Sequence, residues 1–240
     1  MDNKGMDNNS LHDQTPPNPN QPDALANLLA SLRRNSSRLS LFAIVCTALI
    51  VITDAFTHDE IALQSERSLQ KTLSQMLPTD RYDNNLAESC VMVTSPEYLG
   101  NNRPHPVYIA RKQGEITGYI VESIAPNGYS GAIRLFTSVT QDGEISRVQV
   151  LEHHETPGLG DKIERKKSAW IDSFTGKSLQ SDNDKRWAVK KDGGEFDSFT
   201  GATITPRAVV GGVKDVLLLL RQHPELISQA PACSLSSQSK

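Results

Sequence analysis

One apolar run near the N-terminus restricts this chain more than any other stretch. Leu39 to Phe56 reads LSLFAIVCTALIVITDAF and carries no charge before Asp54. As a helix rising about 1.5 Å per residue, such a run spans about 27 Å, close to the hydrocarbon thickness of a bilayer. Arg33, Arg34 and Arg38 precede it, and Asp54, Asp59 and Glu60 follow it. Basic flanks stay in the cytoplasm, so this asymmetry puts the N-terminus inside and everything after Phe56 outside. A cleaved signal peptide is the rival reading, but the polar region before the run is long and no small-x-small cleavage site follows it. A buried helix of a soluble domain would not need the charge asymmetry. The expectation is an uncleaved single-pass anchor over residues 39–56.

The flanking segments differ in kind. Residues 1–38 are expected to be a disordered polar extension in the cytoplasm. Met1 to Asp23 is rich in Asn, Asp, Gln and Pro and cannot bury enough apolar surface to offset its ordering entropy. Ala24 to Leu32 is expected to add a short helix. After the anchor, Ile61, Leu69, Leu73, Met76 and Leu77 recur mostly at spacings of three and four, which predicts a helical stalk over residues 57–80, stopped by Pro78. Residues 81–233 remain for the main domain and 234–240 for a tail. The net charge of −3 leaves no basic footprint for nucleic acid.

From Ser89 to Ser146 the pattern changes. Cys90–Val93, Pro106–Ala110, Gly118–Val121 and Ala132–Phe136 are short, partly alternating and separated by turn residues, as strands in hairpins are. Val148, Val150 and Leu151 mark a further strand, and Trp187–Val189 another. Helices are predicted over Lys167–Phe174 and Pro206–Leu220, the latter with Ala208, Val209, Val213, Val216, Leu217 and Leu220 as its buried stripe. The fold class is therefore α+β, an antiparallel sheet with helices packed on it. Cys46 lies in the apolar run, while Cys90 and Cys233 fall outside the membrane, where a disulfide between them would persist. Two unrelated thiols is the other possibility.

The residues with the most chemistry lie just before the last helix, in Asp197-Ser198-Phe199-Thr200-Gly201-Ala202-Thr203-Ile204-Thr205-Pro206. Pro206 suits the first helical position and Thr205 the N-cap. The free N–H groups of the first turn and the positive end of the helix dipole make an anion site. Gly201 lets the backbone turn and approach a ligand, and the Thr203 hydroxyl is expected beside that site. On loop physics alone, a phosphate site and a plain capped loop both stand. A second stretch, Glu152-His153-His154-Glu155-Thr156-Pro157-Gly158-Leu159-Gly160-Asp161, suggests metal at first sight. Neighbouring residues of an extended chain point in opposite directions, which disfavours a shared ion. A tight Pro-Gly turn whose glycines admit a flat ligand is the better reading.

Asp197-Ser198-Phe199-Thr200-Gly201-Ala202-Thr203 resembles the flavinylation motif of covalent FMN-binding domains, an Asp followed by Ser/Thr-Gly-Ala-Thr. The resemblance implies that a flavin transferase, using FAD, joins FMN through its phosphate to Thr203, with Asp197 in the recognition pattern and Thr205 the less favoured attachment point. Glu155-Thr156-Pro157-Gly158-Leu159-Gly160 is similar to a family loop that lies against the flavin. Gly128-Tyr129-Ser130-Gly131 matches another segment near the cofactor, which puts Tyr129 and Ser130 among the expected contacts with Thr200, Gly201, Ala202 and Thr205. The order of these motifs, the single span, Tyr82, Cys90, Trp187–Gly194 and Pro231-Ala232-Cys233 resemble the G subunit of the Rnf (or Rsx) ion-translocating electron transport complex.

That family implies a bacterial inner-membrane protein with a periplasmic FMN domain. Its partners would be the other membrane and iron–sulfur or flavin subunits, and the chain would carry electrons without turning over a substrate of its own. The C subunit of the sodium-translocating NADH:quinone reductase shares the threonine motif and is one alternative. A membrane-tethered scaffold whose threonine loop only caps a helix is another.

Overall fold

The computed structural model describes residues 22–233. The expectations for residues 1–21 and for the tail at 234–240 lie outside the described residues. The chain divides into two compact units, Met1–Ile61 and Ala62–Lys240. Helix α1 (Pro22–Met76) supplies the described part of the first. Residues 22–38 are thus helical: the short helix expected over Ala24–Leu32 is present, and Asn35–Arg38, expected to be disordered, continue it into the apolar run. Extending an existing helix adds one hydrogen bond per residue with no new nucleation cost, and Ala24, Leu25, Leu28 and Leu29 are strong helix formers.

Within α1, Ser36–Asp54 is long and apolar enough to cross a membrane, with a mean hydropathy of 1.9. Leu41, Phe42, Ile44, Leu49 and Ile50 are exposed on all sides of the helix. Thr47 and Thr53 donate their hydroxyls to the carbonyls of Ala43 and Leu49, at 2.8 and 2.7 Å. These two hydroxyls are thereby satisfied inside the helix, as an apolar solvent requires.

The second unit is built on a five-stranded antiparallel meander, in the order β1 (Cys90–Val93), β2 (His105–Lys112), β3 (Glu115–Gly128), β4 (Gly131–Thr140) and β5 (Ile145–Glu152). Two-residue turns set two of the hairpins. Between β2 and β3, Gln113 and Gly114 both take positive φ, 54° and 86°, the combination that matches strand twist. Between β3 and β4, Tyr129 and Ser130 form the tip while Gly128 pairs with Gly131. The C-terminal segment closes the free edge of β1, where Met92 N–H donates to the Pro231 carbonyl at 2.9 Å. There Cys90 and Cys233 pair as a disulfide with Cα atoms 5.4 Å apart.

Both faces of the sheet are covered, so β4 is buried without a break from Leu135 to Val139. On one face Val121, Ala125, Ile133, Leu135 and Val139 pack against α3 (Ile204–Gln222), through Val209, Val213 and Val216. On the other face Tyr108, Ala110, Ile120 and Phe136 meet Leu73, Met76 and Leu77. The end of the expected stalk is therefore part of the domain core. Two short helices, α2 (Pro96–Leu99) before β2 and α4 (Glu225–Ser228) after α3, complete the unit.

Two predicted elements differ. Lys167–Phe174 forms a 3₁₀ helix only over Ala169–Phe174, capped by Ser168, whose hydroxyl accepts the Trp170 N–H. Trp187–Val189 is not a strand; Val189 makes a single bridge to Phe196. The reason is the buried carboxylate of Asp184, which accepts the backbone N–H groups of Gln180 and Arg186 at 3.0 and 3.1 Å and coils the segment ahead of it.

Candidate functional site

The threonine loop stands on an aromatic wall. Phe199 is buried against Trp170 at a ring separation of 5.1 Å. Phe196 stacks on Phe174 at 4.5 Å, and Trp187 lies 5.2 Å from Phe196. The Trp170 indole N–H donates to the Asp197 carbonyl at 2.8 Å. These contacts hold residues 196–199 from behind, so the chain beyond them leaves the wall at a fixed point. Gly201 follows with φ +82°, a conformation that residues with a Cβ rarely adopt. Thr203 is the residue before α3, and its side chain makes no capping hydrogen bond.

Thr205 is not the N-cap. It is helical, fully buried, and donates its hydroxyl to the Glu155 carboxylate. A hydrogen bond to a carboxylate is stronger than one to a neutral acceptor, and this tertiary contact outweighs the preference of a pre-proline residue to stay out of the helix. Pro206 keeps its tolerance in the first turn, where a missing N–H leaves no intrahelical bond unmade.

Glu155 is the hub of the second motif. It is only 4% exposed. Besides Thr205 it accepts the Ser130 N–H at 3.1 Å, and its own N–H donates to His153 Nδ1 at 3.1 Å. His153 Nε2 then carries the proton facing Glu164 at 2.9 Å. His154 is exposed, so the two rings have different surroundings. Among the described residues no group of three or more His, Cys, Asp or Glu is placed to hold a metal ion.

Each of the three motif segments exposes a large apolar side chain. Tyr129 is 67% exposed at the hairpin tip, Leu159 42% in the Pro-Gly loop, and Ile204 43% at the start of α3. The loops bearing them are close together. A Cβ added at Gly201 would lie 3.5 Å from Leu159 Cδ2, and one at Gly160 would lie 2.9 Å from Thr205 Oγ1. Thr200, Pro157 and Gly158 are exposed beside them, while Thr156, Ala202 and Thr203 are half-buried. Lys190 pairs with Asp197 at 2.7 Å. Arg207, in the first turn of α3, donates through both Nε and Nη2 to Asp192, and this guanidinium holds the Asp192 carboxyl below its ordinary range.

Residues 128–218 match the FMN-binding domain family, and residues 26–76 match the RnfG N-terminal region. The G subunit of the ion-translocating oxidoreductase complex from Shewanella loihica is 46% identical over 202 residues, covering 84% of this chain and 95% of its own. The protein of the same description from Photorhabdus laumondii is 47% identical over 210 residues, covering 88% of this chain and 100% of its own. The chain belongs to the G-subunit family of ion-translocating oxidoreductase complexes. A crystal structure of NqrC from Shewanella oneidensis overlaps 61% of this chain and 75% of its own at 22% identity, with a TM-score of 0.42.

As a member of the G-subunit family with an FMN-binding domain, the chain can be tested for fit to the group. An isoalloxazine needs apolar faces, which Tyr129, Leu159 and Ile204 offer. A phosphate needs N–H donors, which the start of α3 supplies. At Gly158 an added Cβ would meet nothing within 4 Å, so the loop backbone is open to approach. The residues fit. The structure thus brings the three sequence motifs together, with Glu155 and Thr205 buried beneath them. Trp170 and Phe174 meet within one short helix, but their contacts with Trp187, Phe196 and Phe199 join segments apart in the chain, so the wall had no local sequence signal.

Proposed function

We propose that the chain is a membrane-anchored flavoprotein subunit of an ion-translocating electron transport complex, with FMN bonded through its phosphate to Thr203. The observation that carries this reading is Thr203 itself. Its hydroxyl is not engaged in capping, it precedes a helix of 19 residues, and it lies within the FMN-binding match. A phosphate ester there would be held by the first N–H groups of α3 at the positive end of the helix dipole. Gly201 and Ala202 would bring the backbone close, and Tyr129, Leu159 and Ile204 would flank the ring, with Thr156, Pro157, Gly158 and Gly160 shaping the loop beside it.

Attachment calls for a flavin transferase with FAD as donor. The Thr203 Oγ–P bond forms as the pyrophosphate P–O bond breaks, AMP leaves and the hydroxyl proton is lost, so no oxidant is required. Once bound, FMN supplies one- and two-electron chemistry. The protein's task is to hold it near partner membrane and iron–sulfur or flavin subunits, a proximity that the anchor raises. The arginines before the span and the acids after it support an inner-membrane anchor with a cytoplasmic N-terminus and a periplasmic FMN domain. The Cys90–Cys233 pair suits that oxidising side.

The test is direct. Washed, denatured protein from a host with the transferase should fluoresce in a gel, and Thr203→Ala should abolish the signal. A wild-type band without fluorescence would favour the scaffold reading. A reporter fused after Phe56 should be active only outside the cytoplasm; cytoplasmic activity contradicts the topology.

A further inference from the structure

Three segments distant in sequence converge on the Glu155 carboxylate. One oxygen accepts the hydroxyl of Thr205 in the first turn of α3, and the other accepts the N–H of Ser130 at the β3–β4 tip. Glu155 itself begins the Pro-Gly loop. Two glycines keep room for it: a Cβ on Gly128 would lie 2.8 Å from Oε1, and one on Gly160 would lie 2.7 Å from Oε2. A buried carboxylate is costly unless its lone pairs are matched. Here each oxygen is matched by a donor from a different element. Those elements carry the exposed Tyr129, Leu159 and Ile204, and Thr203 is two residues from Thr205.

We propose that Glu155 is a positioning residue. It pins the 129–130 tip, the 156–160 loop and the start of α3 into one frame, and so fixes the apolar side chains relative to the Thr203 hydroxyl without touching the flavin. The inference rests on Thr203 as the FMN attachment point. Removing the carboxylate leaves the attachment chemistry intact and loosens what surrounds the product. Glu155→Gln keeps both ties, because its amide oxygen can accept the Ser130 N–H and its NH₂ can donate to the Thr205 hydroxyl. A role through charge would instead make Gln as damaging as Ala.

The experiment uses full-length protein in detergent from a transferase-positive host, as wild type, Glu155→Ala, Glu155→Gln and Thr205→Val. Gel fluorescence reads covalent flavin, anisotropy reads how rigidly it is held, and amide exchange reads the Ser130 N–H. Glu155→Ala should retain covalent flavin, lower its anisotropy and speed Ser130 exchange about tenfold, the loss expected for a charge-assisted hydrogen bond. Glu155→Gln should stay within about twofold of wild type. Thr205→Val, which cuts one tie only, should lower anisotropy and leave Ser130 exchange near wild type.

Unchanged Ser130 exchange and anisotropy in Glu155→Ala would overturn the proposal, as would Glu155→Gln behaving like Glu155→Ala. Should Glu155→Ala not fold, wild-type anisotropy in Thr205→Val overturns it. The exchange comparison is repeated in flavin-free Thr203→Ala chains with and without Glu155→Ala. An absence of covalent flavin in wild type therefore rejects the attachment reading, while Ser130 exchange still decides the pin.

Discussion

The two faces of the sheet are finished by different means. On the α3 face one continuous core runs from Val93 through the strands into the aromatic wall of Trp170, Phe174, Trp187, Phe196 and Phe199. The threonine loop rises from that wall. The opposite face carries a smaller cluster, closed by the last turns of α1 and by Cys90, which is tied to Cys233. The first face gains rigidity from interlocking rings, and a site needing fixed geometry stands there. The second gains it from a covalent link between residues 143 positions apart, in a different cluster from the aromatic wall. The contrast assigns positioning to one face and chain closure to the other, and substitutions can separate the two.

The largest effect is expected on the α3 face. Phe174 is fully buried and contacts Trp170, Trp187 and Phe196. Phe174→Ala should cost about 3–5 kcal/mol in chemical denaturation, since a buried aromatic leaves a cavity as well as losing transfer energy. Covalent flavin should fall with it, because the wall holds residues 196–199. Cys90→Ser should cost less, about 2–4 kcal/mol, by freeing the unfolded chain. It should leave gel fluorescence per folded molecule unchanged. Loss of flavin in well-folded Cys90→Ser protein would erase the distinction between the faces.

A smaller effect concerns pH. Asp215, on α3, is half-buried, and desolvation pushes its pKa up to about 6 against the pull of Lys214, with a smaller push from the Glu97 charge. The folded pKa lies above the unfolded one, so the native state holds an extra proton between them. Its contribution is therefore greatest below about pH 4 and is lost as pH rises through about 6. Asp215→Asn should be more stable than wild type near pH 8, by about 1 kcal/mol after allowance for solvent screening. The difference should vanish near pH 4 in paired denaturation curves. A difference that does not change with pH would exclude this titration.

Much of this architecture was legible from local signals. Strands β1 to β5 followed from alternation and turn residues, and α3 from its apolar stripe. The threonine motif and the Pro-Gly loop became candidate sites through their resemblance to family motifs, since loop physics alone left a plain capped loop standing. What could not be read were contacts whose partners lie far apart. Local pattern makes Thr205 an N-cap, but its hydroxyl meets Glu155, 50 positions earlier. Trp170 gave no hint that its indole holds the Asp197 carbonyl, 27 positions later. The strand expected at Trp187–Val189 failed because Asp184 captured the neighbouring amides. In each case a buried polar group found a specific partner, and local propensity gave way.

The proposed role of the chain turns on Thr203 bearing FMN as a phosphate ester. Mass analysis of the peptide containing Thr203, from full-length protein matured with the transferase, decides this without intermediaries. The expected result is a mass increase of one FMN less one water, localised to Thr203 by fragmentation and absent from Thr203→Ala. An unmodified Thr203 peptide in yellow, washed protein, or the same increase on Thr200 or Thr205, would contradict it.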